Sequence, residues 1–464
     1  MHRSVLIEAI LVGLFLGGTV SLQAGELLVG AAAVVINPPK GVSMAGYYHA
    51  RGATEVLDDL LAKAVVLEQE GVKAALVACD LITLPRHTVL AAREQIAKRT
   101  GIPGENVMLW ATHQHTGPSL VRESAKDKLD GATTDPVQRY TAELPGLLAR
   151  CVDEANRKLR PARASAAIGR EEHLSFNRRF WMKDGTVSWN PSKNDPNVIR
   201  PAGPIDPDVG VVFFESRDGK PLATCVNFAM HPDTTGGTRL SADYPGVLAR
   251  RLADFRGDDM VTLFANGCCG NINHRNLRWP APQTSPAEAR RLGTILAGDV
   301  LKLYPELKPA AAGPLRVNRR IVLLPLAPVT PNDVETAREV NRRVNDPKTT
   351  FLEKVKAFQA LDVAAREGKP LEVEVQVIAL GGQMAWVSLP GEIFVEIGLS
   401  IKSGSPFPYT MIAELANGSI GYVPNKTAYV EGNYEVVSAR CAEGSGEMLV
   451  AAAIQMLAEL HRGR

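Results

Sequence analysis

Short apolar runs alternate with amphipathic stretches along this chain, and that alternation constrains its fold more than any other feature. The runs at 27–35, 62–67, 74–77 and 107–111 have the length and composition of buried strands. Residues 86–99, opened by Pro85, and 137–158 carry the apolar spacing of helices. Ser285-Pro286-Ala287-Glu288 reads as a capping box with proline at the first helical position, opening a helix that runs to about residue 303. A strand at 315–324 is halted by Pro325, helical segments continue to 366, and strands follow at 371–380 and 384–388. The pattern predicts an α/β protein with mixed β-sheets flanked by helices in one large domain. Two stretches interrupt it. Residues 180–208 are dominated by Asn, Pro, Asp and Gly, which predicts a long loop, and 305–314 predicts a Pro/Ala-rich surface crossing.

The N-terminus sets the expected compartment. Met1, His2 and Arg3 precede an apolar run at 9–20, and Ser21-Leu22-Gln23-Ala24 offers a small residue for cleavage. Residues 1–24 therefore read as a signal peptide, with an uncleaved anchor as the alternative, and 25–464 as an exported catalytic domain, periplasmic or secreted. A net charge of +2 and the lack of a Lys/Arg cluster argue against a nucleic-acid partner. The six cysteines are too few for a disulfide scaffold and lack metal-type spacing; adjacent Cys268 and Cys269 read as two buried small residues rather than a vicinal disulfide.

Four apolar runs end in polar clusters. The first ends in Thr112-His113-Gln114-His115, where a two-residue period would put His113 and His115 on one face, about 7 Å apart. They read as metal ligands or as a half-exposed pair capping a loop. The strand at 223–230 ends in His231-Pro232-Asp233, with Asp233 either supporting a ligand or simply turning the chain. The strand at 262–265 runs into Asn266 and a glycine-rich turn through Gly270 and Asn273 to His274, suited to offering backbone amides to an oxyanion or to a tight structural turn. The last, at 384–388, runs into Pro390-Gly391-Glu392, a carboxylate ligand or a first-turn helix residue. Four such endings predict one shared site at the C-terminal ends of the strands.

These motifs resemble the neutral, non-lysosomal ceramidases, in their N-terminal catalytic domain. Thr112 to Pro118 matches that family's Thr-His-x-His-Ser/Thr-Gly-Pro signature, and Phe228-Ala229-Met230-His231 and Pro390-Gly391-Glu392 match two further segments. Gly421-Tyr422-Val423, followed by Tyr434, matches its tyrosine pair, while Met44-Ala45-Gly46-Tyr47 and Asn177-Arg178 match smaller elements, so that the ordered series spans roughly 28–460. The resemblance implies that His113, His231, Glu392 and Tyr422 bind zinc. His115, just off the metal, is a candidate for proton transfer or for a hydrogen bond to the substrate, or is itself a ligand, and Tyr434 and Arg178 would stabilise an oxyanion or grip the substrate. Arg178 or Arg179 in an ordinary surface ion pair is the plain alternative. Asn266, Gly270 and Asn273 would serve the substrate or oxyanion, with Asn273 standing where the family has a serine. The family also carries a C-terminal immunoglobulin-like domain beyond the span matched here, and 180–208 is unlike its own segment.

The resulting expectation is an exported zinc hydrolase cleaving an N-acyl amide, ceramide-like, by a zinc-activated water. A lipid-like amide substrate and transient contact with a membrane surface go with it; oligomeric state stays open. The rivals are a zinc esterase or lactonase, a phosphoric-ester hydrolase drawing on Asp80, Asp233 and Asp243, and a secreted binding protein with a structural zinc.

Overall fold

Alanine- and valine-rich runs, apolar on both faces, form the centre of a large mixed sheet, as buried strands do. In the computed structural model, which describes residues 25–310 and 313–463, the strands follow the order Val261–Asn266, Pro221–Phe228, Asp208–Ser216, Arg160–Arg170, Leu28–Val35, Leu61–Gln69, Val72–Cys79 and Val107–Ala111. A short ninth strand, Lys308–Pro309, pairs with Arg160–Arg170 and interrupts the surface crossing expected at 305–314. The inner strands are antiparallel, but the pair at each edge is parallel. The predicted signal peptide lies outside the described residues.

A second sheet orders Leu315–Leu324, Leu371–Leu380, Met384–Ser388 and Tyr409–Ala413, its last two strands parallel. It packs over the first through Met108, Trp110, Phe214, Leu263, Ile378, Trp386 and Met411. Each fully buried Leu, Ile, Phe or Met contributes about 1.5–3 kcal/mol relative to exposure. Two polar contacts fix how the layers meet. Trp110 Nε1 donates to Phe264 O (2.8 Å), tying one edge strand of the first sheet to the other. The Asn227 amide donates to Ala265 O and Ile412 O (2.8 and 2.7 Å), joining the two sheets.

Helices Arg86–Thr100 and Asp135–Arg157 cover one part of the large sheet, and Asp243–Arg256 and Pro286–Leu303 another. The last of these is only half capped as expected. Ser285 Oγ accepts Glu288 N (3.1 Å), but the Glu288 carboxylate binds Arg291 instead of returning to the cap. Full capping boxes open Pro331–Arg342 and Phe351–Ala364, from Thr330 and Thr350. All six cysteines are free and buried, Cys268 and Cys269 included.

The segment 180–208 is not a long loop. Arg179–Met182, Val187–Trp189 and Val198–Pro201 form a small three-stranded sheet. Asp184-Gly185 makes the tight turn between the first two, Gly185 at φ 83° and Met182 N–H bonded to Thr186 O (2.9 Å). Strands of three and four residues are too short to print a period on the sequence.

Candidate metal centre

The expected strand ends do converge, though not by the expected local geometry. The strand Val107–Ala111 stops before the histidines, and His113 adopts φ 74°. That conformation costs a non-glycine residue about 1–2 kcal/mol. Hydrogen bonds from His113 N to Leu81 O (2.9 Å) and from its ring Nδ1 to Ile82 O (2.8 Å) hold it. The turn, rather than a two-residue strand period, brings the His113 and His115 rings together at 4.9 Å. His231 follows the strand Pro221–Phe228, and its Nδ1 faces Cys269 O and Ile272 O (2.8 and 3.0 Å). Because both Nδ1 atoms face carbonyl oxygens, both carry the ring proton. Each Nε2 is thereby the nitrogen aimed inward, the one that would ligate a metal.

Glu392 and Tyr422 arrive as neighbours in a two-residue parallel ladder, Glu392–Ile393 against Tyr422–Val423. The chains crowd here. A Cβ on Gly391 would lie 2.5 Å from Gly421 O, and one on Gly270 would lie 2.5 Å from Glu392 O. The buried Glu414 carboxyl ties two ligand segments together, accepting Ile393 N (2.9 Å) and Cys269 N (3.1 Å) while the Cys269 thiol donates to its other oxygen (2.8 Å). Burial pushes Glu414 up to about 8, the His113 charge and these donors opposing the shift.

His113 Nε2 and His231 Nε2 lie 3.1 Å apart, and Glu392 Oε2 is 3.4 Å from each. Zinc–ligand bonds of about 2.0–2.1 Å place tetrahedral ligands about 3.3 Å apart. The triangle therefore fits zinc without rearrangement. Burial alone would depress His113, but Glu392 outweighs it and holds the imidazole above its usual range. Burial and the Arg178 charge push His231 down to about 3. Glu392, despite its burial, sits well below the usual carboxylate range because of the two histidines.

Tyr422 is buried and its hydroxyl accepts from Arg178 Nη2 (3.0 Å). Burial holds its phenol well above the usual range, Arg178 opposing and Glu392 reinforcing the shift. Arg178 is no surface ion pair. It and Arg179 are buried on the two oxygens of Glu435 (2.9 Å each), and Arg178 Nη1 comes 3.4 Å from His231 Nε2. His115 joins His113 and His231 in a three-histidine group that can hold a metal ion, all within 4.8 Å. Both its ring nitrogens are buried without a hydrogen-bond partner, and burial followed by the His113 charge holds it well below its usual range.

The cluster opens into a cavity of about 450 Å³. One wall is aromatic: Tyr48, Trp189, Phe351 and Tyr434, with Trp189 stacked on Phe351 at 5.3 Å and beside Tyr434 at 4.7 Å. The other is polar, with Asp233, Asn273, His274 and Arg275. Asp233 accepts the Tyr47 hydroxyl and lies 3.9 Å from His115 Nδ1. Two expected contributors do not face this space. Asn266 is fully buried, its amide oxygen on Met230 N and its nitrogen on the Cys269 thiol. Gly270 spends its N–H on Ile393 O (2.8 Å) and its carbonyl on Arg178. The glycine-rich turn is structural, shaped by close backbone passage. No array of aspartates forms among the described residues either. Asp80 is buried on Lys63 (2.9 Å), and Asp243 caps Thr234 N and Thr235 N (3.0 and 2.8 Å).

Sequence reasoning missed Trp189, Phe351, Arg275, Glu414 and Glu435. The Thr350-to-Glu353 capping box would have placed Phe351 at a helix start; the others leave no local signal.

Fold and site together define a class: a mixed α/β domain that gathers two histidines and a carboxylate at strand ends, open to a cavity. No family model matches the chain, and no curated protein matches it in sequence. Among solved structures, neutral ceramidase from Pseudomonas aeruginosa matches with a TM-score of 0.75 at 19% identity, over 95% of this chain and 75% of that one. A ceramidase complexed with C2 matches with a TM-score of 0.73 at 18% identity, over 95% and 76%. The chain has the neutral-ceramidase fold, as the motifs implied.

Proposed function

We propose that this protein is a zinc-dependent hydrolase that cleaves an amide bond in a ceramide-like N-acyl amide. The observation that carries the reading is the triangle of His113 Nε2, His231 Nε2 and Glu392 Oε2, whose edges match those of a tetrahedral zinc site. Tyr422, paired with Glu392, supplies the fourth protein ligand. The amide follows from the structural neighbours, which are ceramidases. When bound, zinc supplies Lewis acidity, polarising a carbonyl and lowering the pKa of water towards about 7.

The chain's own residues do the rest. His115, neutral and unpartnered at the cavity floor, takes a proton from the attacking water and returns one to the leaving nitrogen. Arg178 and Tyr434 face the cavity and stabilise charge developing on the carbonyl oxygen. The aromatic wall receives the acyl chain and excludes water. A cavity at the cluster favours catalysis over a closed structural zinc site. Export through residues 1–24 belongs to the same proposal; N-terminal sequencing of the secreted protein should begin at Gly25.

The test is hydrolysis of N-acyl amides of increasing chain length beside matched esters. Amide cleavage should vanish with a chelator and return with zinc. Zinc-loaded protein that leaves every amide intact would refute the reading.

A further inference from the structure

Two cationic side chains line the cavity without an ion-pair partner. Arg275 and Lys354 are both partly buried, and neither has an acidic group within 4.0 Å among the described residues. The other cations around the site are spent. Arg178 and Arg179 share Glu435, Lys126 pairs with Asp130, and Arg51 donates to the carbonyls of Ala45, His115 and Gly237. Asp233, the single acidic residue lining the cavity among those described, accepts the Tyr47 hydroxyl and offsets part of the Arg275 charge, leaving Lys354 uncompensated.

Neither charge is explained by the fold. Arg275 sits in a turn held rigidly from both sides: its N–H donates to Asn273 Oδ1 (3.0 Å), His274 Nε2 bonds Gln283 O (2.6 Å), and Gln283 Oε1 accepts Asn276 N (2.8 Å). The turn thus needs the Arg275 backbone but not its guanidinium, which burial depresses from its usual range against the opposing charge of Asp233. Lys354 ends the first turn of Phe351–Ala364, where a cation opposes the helix dipole and an acid would stabilise. A desolvated cation without a partner costs stability. Two of them facing one cavity create a positive potential that attracts an anion. Beside them His274 Nδ1 is buried and unpartnered, a free acceptor for an N–H or O–H. The volume of about 450 Å³ lies toward the small end of ligand sites, roughly 300–1,000 Å³. It suits one polar head and the start of one chain.

We propose that the substrate is an N-acyl amide carrying an anionic group, of the N-acyl amino acid class, and that Arg275 and Lys354 receive its carboxylate while the acyl chain lies on the Trp189–Phe351 wall. The proposal rests on the amide-hydrolase reading for its chemistry but not for its binding. N-lauroylglycine and N-lauroylglycinamide differ in that charge. Calorimetric binding and kcat/KM for both are measured on zinc-loaded wild type, R275Q, K354Q and the double variant, with zinc content as the check on folding. Wild type should prefer N-lauroylglycine by at least about tenfold, as expected for hydrogen bonds to a charged group. The preference should shrink in each single variant and disappear in the double, and it should weaken with added salt. Equal binding of the two amides by wild type, or a preference surviving in the double variant, overturns the proposal. If neither amide is hydrolysed yet the binding preference holds and depends on Arg275 and Lys354, the hydrolase reading falls and the anion site stands.

Discussion

His113, His231 and Glu392 are positioned by protein contacts alone. Each imidazole is oriented by carbonyl oxygens on its outer nitrogen, and Glu392 by ladder pairing with Tyr422. His115 differs, because nothing in the protein holds its ring nitrogens. His113→Ala should therefore abolish zinc retention after dialysis, while His115→Ala keeps zinc and loses about 10²–10⁴-fold in kcat. Metal analysis and steady-state kinetics on the two variants check this, and equal zinc loss in both would make His115 a ligand. Glu435 pairs with two buried guanidinium groups at once, so Glu435→Ala should cost about 3–5 kcal/mol in urea unfolding. His113, His231 and Glu392 could be read from the sequence because each follows an apolar run that ends abruptly in a polar residue. Tyr422 could not be read that way, since a two-residue ladder leaves no period; only the family resemblance pointed to it. Asn266 and Gly270 misled because glycine density signals tight backbone passage as readily as amide donation.

At the scale of elements, the site depends on short pieces crossing at van der Waals limits. Gly391 passes Gly421 where a methyl group would lie 2.5 Å from a carbonyl oxygen. Gly391→Ala should separate the Glu392–Ile393 and Tyr422–Val423 ladder and reduce zinc content several-fold with little change in helical circular dichroism. Unchanged zinc content would show that the ladder does not set the ligand geometry. The long strands and helices were legible in the sequence because burial on both faces, or on one helical stripe, writes a pattern over many residues. The three-stranded sheet at 179–201 was not, although Asp184-Gly185 marked its turn. Reading it as a loop concealed Trp189, the residue that builds most of the aromatic wall with Phe351 and Tyr434.

For the whole molecule, the buried groups give metal-free protein a distinctive acid–base profile. Glu414 is raised to about 8 from an unfolded value near 4.3, so its contribution is full below about pH 4.3 and lost as pH rises through 8. His231 is lowered to about 3 from near 6.5, so its contribution is full above about pH 6.5 and lost as pH falls to 3. The two slopes oppose each other between about 4.3 and 6.5. Above 6.5 the Glu414 slope remains, joined by that of His113, whose raised imidazole also loses its proton there, and the urea midpoint should fall from pH 6.5 to 8.5. Glu414→Gln should reduce that fall. A wild-type midpoint constant across this window would place Glu414 among ordinary carboxylates. The mixed α/β architecture was legible in the alternation of elements. What was not legible is how two sheets stack so that opposite edges of one sheet meet, a matter of Trp110 and Asn227 reaching across long sequence distances.

The most direct test of the central claim is bound metal, measured by mass spectrometry on protein purified from Gly25 onward with zinc supplied during expression. Wild type should carry about one zinc per chain and the His113→Ala, Glu392→Ala double variant almost none. A wild-type chain without zinc under those conditions would contradict the account, and the triangle of His113, His231 and Glu392 would then be an ion-pair cluster of the core.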